Sequence, residues 1–132
     1  MDREARVREL LGVLLAEEGK DPAALPGGYE TQRKLLRGLL NKRPAVPMPE
    51  EDLTALDELL LDELKGKTVT DWRDIPSAPR NSRLALWQGD ITTLRIPAIV
   101  NAANPRLLGC FHPLHNCIDN LIHSAAGFRL RL

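Results

Sequence analysis

The sequence predicts an α/β domain preceded by a helical segment. Three observations carry this expectation. Leucines recur at helical spacing up to residue 64. After Asn81 the pattern changes to short apolar runs, each closed by a polar loop. A last amphipathic run follows those loops. The boundary divides the chain into a helical N-terminal extension, residues 1–80, and the opening part of an α/β unit, residues 81–132.

In the first helix Val7, Leu10, Leu11, Leu14 and Leu15 follow the i, i+3, i+4, i+7 pattern, and Glu17, Glu18 and Gly19 close it. KDPAALPGG is a linker rich in turn residues. A second helix is expected over roughly residues 30–41, with Leu35, Leu36, Leu39 and Leu40 on one face. Pro44, Pro47 and Pro49 end it and open the next. Pro49 suits a first helical turn, and Glu50, Glu51 and Asp52 suit the positive end of a helix dipole. The third helix carries Leu53, Leu56, Leu60 and Leu64, with Leu59 and Leu61 widening the apolar face. All these leucines are read as core. Beyond the irregular stretch GKTVTDWRDIPSAPRNSR, a strand is expected over residues 84–87 and a turn at Gly89 and Asp90, with Trp87 packing nearby. A second strand is expected over residues 98–100. In IDNLIHSAAGFRL a helix beginning near Ile118 would set Ile118, Leu121, Ile122 and Ala125 on one face and Asp119, Asn120, His123 and Ser124 on the other.

Bulk properties exclude several classes. Of 132 residues, 43% are hydrophobic and 27% charged, as in globular domains. Eighteen basic residues balance eighteen acidic ones, so no bulk charge draws the chain to nucleic acid or an anionic membrane. No apolar run approaches the roughly 18 residues of a membrane helix, and MDREARVREL is not a secretory signal. Two cysteines close together are a poor basis for a secreted disulfide framework, so a cytoplasmic protein without nucleic-acid or membrane partners is expected.

Both cysteines and all three histidines fall within GCFHPLHNCIDNLIH, residues 109–123. Cys110, His115 and Cys117 stand at C-x4-H-x-C. Thiolate and imidazole are zinc ligands. Three protein ligands and an open position make a catalytic pattern, whereas a structural site usually closes with four. His112 is a fourth candidate that would need a tight loop beside Pro113. A pair of buried thiols is the plain alternative, and the spacing alone leaves both readings open. Asp90 after Gly89 is equally an ordinary turn residue, and Asn101 and Asn104 equally strand-end caps. Asp119 reads as a first-turn acid favouring the dipole, and His123 as a solvent group or a neighbour of the ligands.

WQGDIT (residues 87–92), AIVNAAN (98–104) and LLGCFHPLHNCIDNLIHSAAG (107–127) together resemble the zinc-dependent macrodomains, the sirtuin-associated bacterial branch of protein-ADP-ribose hydrolases. LLRGLLNKRPAVP and the Asp57, Glu58, Leu59, Leu60 helix resemble the helical extension of that branch. The resemblance implies a three-layer α/β/α macrodomain, of which this chain holds the first part. The glycine-rich second phosphate loop and the far half of the sheet have no counterpart here, and two strands are too few for an independent sheet core. A truncated product or a fragment is therefore the expectation.

The resemblance also implies roles. Asp90 would accept the adenine amino group, and Ile91 would pack beside the base. Asn101 and Asn104 would bind ribose hydroxyls. Cys110, His115 and Cys117 would hold Zn2+. Gly109 would admit a close backbone approach, and the N-terminus of the following helix would face phosphate. Asn104 and the three metal ligands would be the catalytic set. The implied partners are ADP-ribose and ADP-ribosylated protein, with a lipoyl-carrier protein as one candidate. The implied reaction is zinc-dependent hydrolysis of mono-ADP-ribose from protein side chains. An ADP-ribose-binding module without catalysis and an inactive remnant remain as alternatives.

Overall fold

Asp2 starts the first helix: its side chain accepts a hydrogen bond from the Ala5 amide at 2.7 Å, satisfying one free N–H of α1 (Arg3–Glu17). The computed structural model describes residues 2–132. Gly28, at φ 81°, turns the chain into α2 (Tyr29–Lys42), and Pro49 leads into α3 (Glu50–Lys65), whose first turn holds Glu50, Glu51 and Asp52 as expected. The three leucine stripes meet. Val7, Leu11, Leu36, Leu56 and Leu59 are fully buried, and the rest of the core is drawn from the same helices, Met48 and Phe128. Each such leucine contributes about 1.5–3 kcal/mol through removal from water.

The strands are short. β1 (Thr70–Asp71) pairs in parallel with β4 (Leu94–Arg95), and β2 (Ser77–Ala78) pairs antiparallel with β3 (Asn81–Ala85). The architecture is thus mixed helix and small sheet, consistent with an α/β class. Two strand expectations are corrected. The strand expected over residues 84–87 instead spans Asn81–Ala85, set by its pairing of Ala85 with Ser77 and Asn81 with Ala78. Residues 98–100 form no strand: among the described residues nothing pairs with them, and Val100 is 96% exposed. Trp87 packs as expected, its ring lying against Gly89 where a Cβ would collide with it.

α4 (Ile118–Ala126) ends at Gly127 (φ 91°), and a 3-10 turn, Phe128–Arg131, returns the chain to the helical core. Phe128 inserts there, and Arg129 forms exposed ion pairs with Asp57 at 2.6 Å and Glu50 at 2.5 Å. The facing of α4 is the reverse of what an amphipathic helix ordinarily shows. Asp119, Asn120 and His123 are buried, whereas Ile118 and Leu121 are exposed; of the apolar set only Ile122 is buried. The side toward the rest of the chain meets backbone carbonyls and amides, and burial there requires polar partners. Among the described residues no helix is long and apolar enough to cross a membrane.

Candidate functional site

The loop between Asn104 and Cys117 is shaped by its backbone. Leu107 and Leu114 lie at φ 58° and 59°, in the left-handed region that branched side chains rarely enter, and Gly109 lies at φ 87°. A Cβ on Gly109 would stand 2.7 Å from the His123 ring, so a side chain at this position would collide with it. Asn104 closes the start of the loop: its Nδ2 donates to the Gly109 carbonyl at 2.9 Å, and its Oδ1 accepts from the Arg106 amide at 3.0 Å.

This backbone brings Cys110, His115 and Cys117 together, with one ligand atom from each lying within 4.8 Å of the others. Cys110 Sγ is 3.8 Å from His115 Nδ1. Tetrahedral zinc, with bonds near 2.3 Å to sulfur and 2.0–2.1 Å to nitrogen, separates its ligand atoms by about 3.5–3.8 Å. The donor set and its spacing therefore fit a metal ion such as zinc. Cys117 also caps α4, its sulfur accepting from the Asn120 amide at 3.3 Å. The helix thereby turns its positive end toward a sulfur that binds metal as thiolate. Both cysteines are free and half-buried, and His115 is exposed. His112 stands outside the group, its ring meeting that of His115 edge-on at 5.4 Å.

Asn101 does not face solvent as a strand cap. Its Nδ2 donates to Asp119 Oδ1 at 2.7 Å, and the same oxygen lies 3.7 Å from His123 Nε2. Asn101 Oδ1 is buried and, among the described residues, is the one buried side-chain oxygen or nitrogen atom without a partner. An acceptor so placed is costly unless a donor reaches it. Burial pushes the His123 imidazole below its ordinary value, against the upward pull of Asp119; Arg131 adds to the lowering. Sequence reasoning missed the joint placement of Asp119 and His123. Their i, i+4 spacing directly after the ligand candidate Cys117 was the available signal.

Asp90 caps the 3-10 turn Ile91–Thr93, its Oδ1 accepting from the Thr92 hydroxyl at 2.7 Å and the Thr92 amide at 2.9 Å. These bonds, with the Lys67 charge, hold its carboxyl below the ordinary range. Ile91 is half-buried beside it. Asp90 and Thr92 line a cleft of about 290 Å³ with Arg37, Lys67, Leu121 and Ser124. That lining contains none of the three metal-ligand candidates, so Asp90 and the Cys110, His115, Cys117 group stand apart.

No protein-family profile matches the chain. It is 43% identical over 129 residues to the "Protein-ADP-ribose hydrolase" of Staphylococcus aureus strain Mu50, covering 97% of this chain and 48% of that protein. The chain is similar to protein-ADP-ribose hydrolases. A Treponema medium protein of the same name is 42% identical over 109 residues, covering 81% of this chain and 42% of the relative. A Fusarium oxysporum f. sp. cubense protein, "Probable bifunctional ADP-ribose hydrolase/ADP-ribosyltransferase", is 45% identical over 106 residues, 74% of this chain and 18% of its own length. The chain spans about half the length of the Staphylococcus relative.

Proposed function

We propose that this chain belongs to the zinc-dependent macrodomain branch of the protein-ADP-ribose hydrolases and serves the hydrolysis of mono-ADP-ribose from modified protein side chains in the cytoplasm. The observation that carries this reading is the convergence of Cys110, His115 and Cys117, whose ligand atoms lie within 4.8 Å of one another in a chain 43% identical to named hydrolases.

Cys110, His115 and Cys117 would hold Zn2+, which when bound supplies Lewis acidity at the reacting ribose. Asn101 would bind a ribose hydroxyl, and the bond from its Nδ2 to Asp119 keeps the amide from flipping. Asn104 holds the Gly109 carbonyl and thereby aims the Cys110 segment, with the second lone pair of its Oδ1 left for the ribose. Asp90, its Oδ1 already satisfied by Thr92, receives the adenine amino group on Oδ2, with Ile91 beside the base. Water attacks the anomeric carbon, the bond to the protein side chain breaks, and the water proton passes to the departing group. Orientation of the ribose by the asparagines supplies much of the rate, because thiolate ligands moderate the acidity of a metal. An ADP-ribosylated protein is the substrate class, a lipoyl-carrier protein being one candidate.

Metal analysis by mass spectrometry is the test. The purified chain is expected to carry about one zinc, lost in Cys110→Ala. On an ADP-ribosylated peptide, Cys117→Ala is expected to abolish release of ADP-ribose. Full hydrolysis by a metal-free Cys117→Ala preparation would overturn the zinc reading. Zinc retained without hydrolysis would favour a binding module.

A further inference from the structure

The conformation that lets His115 meet Cys110 and Cys117 is held from outside the loop, by the second half of α2. Pro113 and Leu114 rest on Gly38, whose Cα faces them with no side chain between: an ideal Cβ there would lie 3.8 Å from Pro113 Cβ and 3.7 Å from Leu114 Cγ. Asn41, one turn further on, accepts from the Leu114 amide through Oδ1 at 3.0 Å and donates through Nδ2 to Ser124 at 3.1 Å. Leu114 is the residue at φ 59°, a conformation that costs a residue with a side chain about 1–2 kcal/mol and persists only where something fixes it. Arg37 donates to the His115 carbonyl at 2.9 Å, to Asn120 Oδ1 at 2.8 Å and to Ser124 at 3.2 Å. Asn120, fully buried, passes the tie on through Nδ2 to the His112 carbonyl at 3.0 Å. Three consecutive anchor points, the carbonyls of His112 and His115 and the amide of Leu114, are thus bound to Arg37 and Asn41 directly or through one side chain. Arg131 makes the corresponding tie on the Cys110 side. It donates to the Leu108 carbonyl at 2.8 Å and, at the end of α2, to the carbonyls of Leu40 and Asn41 at 2.9 and 2.7 Å.

We propose that Arg37 and Asn41 are positioning residues for the metal centre: α2 of the helical extension fixes the backbone on either side of His115, so that the imidazole stands ready between the two thiolates. The extension is then part of the metal site's supporting shell. Without these ties Leu114 relaxes toward ordinary backbone angles and His115 loses its aim. The inference rests on the metal-centre reading above.

The experiment is a zinc competition titration of the full chain against a chromophoric chelator, with helicity followed by circular dichroism. Removal of groups that orient metal ligands commonly weakens binding by about 10–100-fold, and that loss is expected for Arg37→Ala and for Asn41→Ala, with helicity retained. Asn41→Asp keeps the acceptor for Leu114 but loses the donor to Ser124, and is expected to fall between wild type and Asn41→Ala. Arg33→Ala removes a residue of the same helix that bonds Glu63 at 2.6 and 2.9 Å, away from the loop, and is expected to leave zinc affinity unchanged. Wild-type affinity in Arg37→Ala and Asn41→Ala would overturn the proposal while leaving the metal centre intact. So would an equal loss in Arg33→Ala, which would mean general loosening. A wild-type chain that takes no zinc would overturn the metal-centre reading and this one with it. Should Asn41→Ala fail to fold, Arg37→Ala against Arg37→Lys decides, since Lys keeps one donor and is expected to recover part of the affinity.

Discussion

Gly109 and Gly38 show how differently two glycines beside the same loop are constrained. At Gly109 a methyl group would meet the His123 ring at 2.7 Å, on a backbone already at φ 87°. At Gly38 the added methyl would find its neighbours at 3.7 Å, ordinary contact, on a helical backbone. Gly109→Ala is therefore expected to cost about 1–3 kcal/mol of stability and to weaken metal binding by displacing Cys110. Gly38→Ala is expected to gain up to about 1 kcal/mol from helix propensity. Urea unfolding of the two variants checks this, and equal midpoints would refute it. The grouping of Cys110, His115 and Cys117 was legible in the sequence, because it depends on residues near one another in the chain. The burial of Asp119 against Asn101 was not, since it joins positions 18 residues apart. The ties of Arg37 to Asn120 and Ser124, 83 and 87 residues away, were likewise invisible to a local reading.

Helices were legible as elements because spacing alone reports them; how they face their neighbours was less so. α1, α2 and α3 bury or half-bury the leucines expected of them, since apolar stripes have apolar partners in each other; Leu61, also expected in the core, is corrected to the surface, 59% exposed. α4 turned its polar residues inward because its neighbours are Arg37 and the loop that carries His112, which offer hydrogen bonds and little apolar surface. The tie between helices α1 and α2 carries its own pH signature. Arg43, buried after α2, grips Glu17 at the end of α1 with bonds of 2.7 and 2.8 Å, and this pairing holds the Glu17 carboxyl below its ordinary value of 4.5. A depressed folded value means that the unfolded chain binds the proton more readily. The stabilisation is present above about pH 4.5 and is lost as pH falls through the folded value. Glu17→Gln is expected to flatten the loss of stability below pH 4.5 relative to wild type, measured by urea midpoints across an acid series. Parallel curves for the two proteins would refute the assignment.

At the scale of the molecule, stability and the candidate site are drawn from different parts of the chain. The apolar core is helical, closed by Met48 and by Phe128 from the terminal turn, and among the described residues no strand residue belongs to it. Several apolar residues between β3 and Cys110 stay in water: Leu86 is 93% and Val100 96% exposed. The strand expected over residues 98–100 was read from its apolar composition, yet a strand exists only through a partner, and among the described residues none is offered. It follows that substitutions should separate into two classes. Leu56→Ala, deep between the helices at 2% exposure, is expected to cost about 2–5 kcal/mol through lost burial and the cavity left behind. Val100→Ser and Leu86→Ser are expected to fall within about 0.5 kcal/mol of wild type and to improve solubility by breaking an exposed apolar surface. Urea unfolding with light scattering at increasing protein concentration measures both effects. A large loss of stability in Val100→Ser would mean that residues 98–100 are packed in solution, and the division between a helical source of stability and an open apolar edge would not hold.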